Sequence, residues 1–161
     1  MIEGETSVWP SDDDFRKAIE MSPAYQKLKR SRIRMLLEAI EAALHDGKTE
    51  RIEIHDDLTV EHIIPQRWEE NWPLSEDTAE AREMREVLVH SFGNLTLVTE
   101  KLNPSKSNAD WSKKRPALQQ HSALTLNRML LANEIWDEET IRGRSKLIAD
   151  LALGIWPRKT A

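Results

Sequence analysis

The sequence contains no cysteine. That excludes disulfides and also the thiolate clusters that hold structural zinc, so any bound metal must use oxygen or imidazole donors. There is no run of about 18 apolar residues and no charged-then-apolar leader, which removes the expectation of a membrane span or a secretory signal and leaves that of a cytoplasmic protein. The chain also lacks positive charge overall. A formal net charge of -5 argues against a general nucleic-acid binder, because phosphate neutralisation needs Lys and Arg, and any such role must rest on local clusters. No Gly-rich phosphate loop, internal repeat or low-complexity segment is found.

What is present suits one globular domain: 161 residues, 39% hydrophobic and 32% charged, are enough to bury a real core. Residues 1–8 read as a disordered or cloning-derived terminus and 9–157 as a single domain. Ser11 before three aspartates reads as a capped, acidic first turn leading a short helix that Pro23 interrupts. Leu28, Ile33, Leu36, Leu37, Ile40 and Leu44 recur at helical spacing and predict one helix over 25–44, stopped by Asp46-Gly47. Its opening is basic (Lys27, Lys29, Arg30, Arg32, Arg34), whereas 50–61 is acidic. Short strands are expected at 58–60 and 95–98, with a helix over 76–89 and a Phe92-Gly93-Asn94 turn between them. A polar, basic helix is expected to begin near Pro104 and end at Pro116, followed by further helices to the C-terminus.

The chemistry concentrates in Glu61-His62-Ile63-Ile64-Pro65-Gln66, placed where a strand gives way to a loop. An adjacent acid and histidine mean little alone, since neighbouring strand residues point to opposite faces. The weight comes from the order of three pieces, that string followed by Gly93-Asn94-Leu95-Thr96-Leu97-Val98 and then Asn103-Pro104-Ser105-Lys106-Ser107-Asn108. Together they resemble the HNH (ββα-metal) endonuclease signature, and in particular the C-terminal domain of GmrSD-type modification-dependent restriction enzymes. They are also similar to the HNH domain of the guide-RNA-directed CRISPR nuclease.

The resemblance implies an α+β, mostly helical fold in which a ββα-metal motif, about residues 58–115, is embedded in helices. It implies a metal-dependent nuclease that cuts or nicks DNA in restriction and antiviral defence. By the same resemblance, His62 is the general base, Glu61 and Asn103 are metal ligands, and Asn94 organises the loop. A Glu and an Asn offer hard oxygen donors, which favour one Mg²⁺ or Mn²⁺ ion over zinc. Lys106, Asn108, Lys113, Lys114 and Arg115, with the separate 27–34 group, are candidate contacts to the DNA backbone. An N-terminal nucleotide-hydrolysing, modification-sensing domain is the implied partner. Two other classes stay open, a catalytically idle DNA- or partner-binding module on the same scaffold and a structural domain that relays nucleotide state. Trp68 and Trp72 are expected to pack rather than stack on bases. His45, His55, His90 and His121 have no partner at metal spacing and read as surface or core histidines.

Overall fold

The computed structural model describes residues 9–45, 57–99, 102 and 108–158. Helix α1 (Asp12–Met21) begins as expected: the Ser11 hydroxyl accepts from the Asp14 amide at 3.1 Å, and three aspartates face the positive end of the helix dipole. The expected single helix over 25–44 is instead two, α2 (Ala24–Lys27) and α3 (Arg30–Leu44), separated by extended backbone at Leu28 and Lys29. The reason lies in Arg30, whose guanidinium donates to the carbonyls of Tyr25 and Leu28, acceptors that a continuous helix would have used internally. Helix α3 then buries Ile33, Leu37 and Ile40 along one face, each side chain contributing about 1.5–3 kcal/mol of transfer free energy. Its expected stop at Asp46-Gly47, like the reading of residues 1–8, lies outside the described residues.

Strands β1 (Leu58–His62) and β2 (Leu95–Thr99) pair antiparallel, with Glu61 opposite Thr96 and His62 opposite Leu95. Between them runs α4 (Ala79–Val89), capped by the Thr78 hydroxyl on the Ala81 amide at 3.1 Å, and then a single 3-10 turn at Phe92–Asn94. Helix α5 (Trp111–His121) is capped by Asp110 and carries Pro116 in its interior, so the proline does not end it. The helix continues because Ala117 and Leu118, just beyond the proline, are buried.

Helix α6 (Thr125–Leu131) has no side-chain cap of its own residues. The buried carboxylate of Glu41 reaches over from α3 and accepts from the Thr125 and Leu126 amides at 2.8 and 2.7 Å. Helix α7 (Glu138–Ile155) opens with a capping box between Asp137 and Thr140.

The ribbon separates two apolar clusters, following the two-residue alternation of its strands. Leu58, Leu95 and Leu97 pack with α1, α3 and α7 residues, whereas Val98 and the Ile63-Ile64 turn join Trp68, Trp72, Trp111 and Trp136. Trp68 and Trp72 thus pack, with indole nitrogens donating to the Glu86 carboxylate at 2.9 Å and the Ala109 carbonyl at 3.1 Å. The result is a mostly helical α+β architecture that grips one short antiparallel ribbon. Among the described residues no helix is long and apolar enough to cross a membrane.

Candidate active site

His62 is the last residue of β1, and the turn after it is stitched to the start of β2. The Ile63 amide donates to the Asn94 carbonyl at 2.9 Å. The Asn94 side chain then clasps the next residue from both sides, its Oδ1 accepting from the Ile64 amide at 2.9 Å and its Nδ2 donating to the Ile64 carbonyl at 2.8 Å. Nδ2 also donates to the Val89 carbonyl at 2.9 Å, and Oδ1 accepts from the Trp136 indole at 3.2 Å. All four hydrogen-bonding positions of this fully buried amide are therefore used. Asn94 organises the loop and holds no atom toward the pocket.

Gly93 makes this clasp possible. A Cβ there would collide with the Ile141 carbonyl and the Ser145 hydroxyl of α7, so only glycine allows the turn to lie against that helix. Arg144 completes the seat from α7, donating to the carbonyls of Gly93 at 2.9 Å and Leu95 at 2.7 Å.

A pocket of about 340 Å³ opens beside the end of β1, lined by Tyr25, Glu61, His62, Gln66, Arg67 and Asn108 among others. Glu61 is half-buried at its wall. Burial raises its carboxyl pKa above the ordinary range, and the Lys114 ammonium, 3.7 Å away, pulls in the opposite direction. Lys114 itself is buried and donates to the His62 and Ile63 carbonyls at 2.8 and 2.9 Å. Desolvation pushes its pKa down to about 8 despite the neighbouring Glu61.

This corrects the expectation that Lys114 lies on a DNA track, because helix phase places it on the buried face of α5 with Trp111, Ala117 and Leu118. Arg115 is also drawn inward, its Nε and Nη2 donating to the Leu131 carbonyl at 3.1 and 2.7 Å. Lys113 and Asn108 remain exposed, Asn108 at the pocket and with its carbonyl accepting from Asn71 at 2.9 Å. Asn103 and Lys106 lie outside the described residues.

The structure adds a neighbour that the sequence does not reveal. His90, at the end of α4, is a core histidine as expected but not a solitary one: its Nδ1 lies 3.3 Å from His62 Nε2. Tyr25 packs edge-on against the His62 ring at 4.2 Å between centroids, and the Arg30 guanidinium sits 3.2 Å over the Tyr25 ring. Burial, then the nearby His90, Lys114 and Arg30, push the His62 pKa down to about 3, so at neutral pH the ring is uncharged.

Helices α2 and α3 therefore build one side of a site whose motif residues all lie elsewhere in the chain. The only sequence sign that these helices join the site is the basic run over 27–34.

Among the described residues no group of three or more His, Cys, Asp and Glu side chains gathers at metal-binding distance. An oxygen donor is the kind that a hard, mostly hydrated ion of the magnesium class takes. Glu61 supplies one at the pocket wall.

Fold and site together define a mostly helical α+β domain with a polar, histidine-bearing pocket at one end of a two-stranded ribbon. The family model of the GmrSD restriction endonucleases, C-terminal domain, matches residues 9–151, and the chain belongs to that family. No curated protein and no solved structure matches it.

Proposed function

We propose that this chain is the HNH-type nuclease domain of a restriction enzyme, hydrolysing DNA phosphodiester bonds with one Mg²⁺ or Mn²⁺ ion. The observation that carries the reading is the Asn94 clasp. It joins the Glu61-His62 string to the Gly93-Asn94 string and leaves His62 at the wall of a pocket that also holds a carboxylate. A merely structural asparagine turn would not require an acid and a neutral imidazole to share that pocket.

In this mechanism His62 accepts the proton of the attacking water, a role that typically contributes about 10²–10⁴-fold. A phosphodiester entering the pocket places negative charge near the imidazole, which raises its proton affinity toward neutrality. Asn94 and Lys114 hold the turn on which His62 sits, so the imidazole is fixed before substrate arrives. Glu61, with Asn103, would hold the divalent ion, which supplies Lewis-acid relief of charge on the phosphate and on the leaving 3′ oxygen. DNA is the partner this chemistry takes. A nucleotide-hydrolysing, modification-sensing domain elsewhere in the full-length enzyme would direct it in cytoplasmic antiviral defence.

The test is relaxation of supercoiled plasmid with Mg²⁺ or Mn²⁺, compared with chelator. His62→Ala is expected to abolish nicking at every metal concentration while the fold is kept. Asn103→Ala is expected to regain part of its activity as Mn²⁺ is raised, because mass action offsets a missing ligand but not a missing proton acceptor. An active His62→Ala protein, or full cutting in chelator, would overturn the proposal, and DNA binding without nicking would favour an idle module.

A further inference from the structure

We infer that His90 is a positioning residue for His62: its Nδ1 lone pair accepts the Nε2–H of His62 and so leaves the lone pair of His62 on Nδ1, where the pocket can use it. The inference rests on the reading of His62 as the proton acceptor. A neutral imidazole carries one proton on two nitrogens, and the hydrogen bond made by one nitrogen decides what the other can do. His62 Nε2 and His90 Nδ1 are 3.3 Å apart, so the proton between them belongs to one ring or the other. If His62 donates, its Nδ1 is an acceptor. If His90 donates, His62 carries its proton on Nδ1 and cannot take another at neutral pH.

The pocket decides between the two arrangements. His62 Nδ1 has no protein partner among the described residues and its ring lines the pocket, so a His62 that takes a proton from the pocket does so at Nδ1, and its Nε2 is then the N–H that His90 Nδ1 accepts.

The rings are also immobilised. His62 meets Tyr25 edge-on and His90 at 5.3 Å and 89°, His90 stacks on Tyr25 at 5.9 Å, and the Tyr25 amide donates to the His90 carbonyl at 2.9 Å. Both histidines are 5% exposed, so bulk water does not readily replace either as a partner.

The decisive measurement needs no DNA. Long-range proton–nitrogen correlation on isotope-labelled histidines, in metal-free protein at neutral pH, is expected to show His62 as the Nε2–H tautomer. A His62 found as Nδ1–H overturns the inference. His90→Leu removes the acceptor, and is expected to mix the His62 tautomers and lower kcat for nicking about 10–100-fold, the usual size for an orienting partner, with KM unchanged. His90→Asn, whose Oδ1 falls near the lost Nδ1, is expected to restore both.

An Asn variant as slow as Leu, or a Leu variant with the native tautomer and rate, also overturns it. If the native chain cuts no DNA, the proposed function fails, while the tautomer measurement still decides whether His90 holds His62.

Discussion

At the scale of single residues the site is a set of charged and polar groups held out of water, compensated to different degrees. Lys114 keeps its ammonium inside by donating to two carbonyls at the end of β1 and by lying near Glu61. The histidines have no such partner for a positive charge, and burial, opposed by Glu86 and aided by Arg30, lowers the His90 pKa below its ordinary 6.5. Between that lowered value and about 6.5 the unfolded chain binds a proton that folded His90 does not, so stability rises with pH across the window and is lost as pH falls through it. His62, Tyr25, Arg30 and Glu86 are the groups that face the ring, and none replaces the missing solvent around a charged imidazole. Urea unfolding of metal-free protein is therefore expected to show lower stability on going from neutral to mildly acidic pH. The decline should be smaller in His90→Leu, and equal pH slopes for the two proteins would show that burial of this ring is not what sets them.

At the scale of elements, the ribbon and the 3-10 turn depend on how closely α7 approaches. Gly93→Ala is the sharpest probe, because its new methyl would meet a backbone carbonyl and a hydroxyl of α7, of which only the hydroxyl can turn away. We expect a loss of about 1–3 kcal/mol, as for overpacked cores, measured as a lower urea midpoint. Nicking should fall too, through displacement of Asn94. A fully stable Gly93→Ala protein would mean that α7 can withdraw at little cost.

Some of this architecture is legible in the sequence because its causes are local. Ser11 ahead of three aspartates marks a helix start, and the 58–60 and 95–98 strands arise from β-branched and apolar residues flanking a turn. Other features are not legible because their causes are tertiary. The break at Leu28-Lys29 depends on where the Arg30 guanidinium finds carbonyls, and α5 runs through Pro116 because Ala117 and Leu118 are buried. Lys113-Lys114-Arg115 reads as a solvated basic run until helix phase, set by Trp111, turns Lys114 inward. His62 and His90 are 28 residues apart, and nothing in either local string requires them to meet.

At the scale of the whole molecule the problem is charge. A chain of net charge -5 repels DNA at long range, so productive contact has to be local, and the structure limits where it can be. With Lys114 and Arg115 committed inward, the exposed cations on this side are Arg67, which lines the pocket itself, and Lys27, Lys29 and Arg32 on the α2–α3 elbow that carries Tyr25 and Arg30. A phosphate backbone crossing that elbow would pass the mouth lined by Tyr25 and arrive at His62. Binding of a short duplex to the isolated chain should then be weak, indifferent to sequence and strongly dependent on salt, since each neutralised phosphate releases counterions. Reversing the three cations together (Lys27→Glu, Lys29→Glu, Arg32→Glu) is expected to reduce affinity and to flatten the plot of log K against log salt, by about one unit for each phosphate no longer neutralised. The fold should be unaffected, because all three side chains are exposed. Fluorescence anisotropy across a salt series separates the possibilities. An unchanged slope and affinity in the triple variant would move the DNA path away from the elbow, toward the exposed Lys113 side of α5.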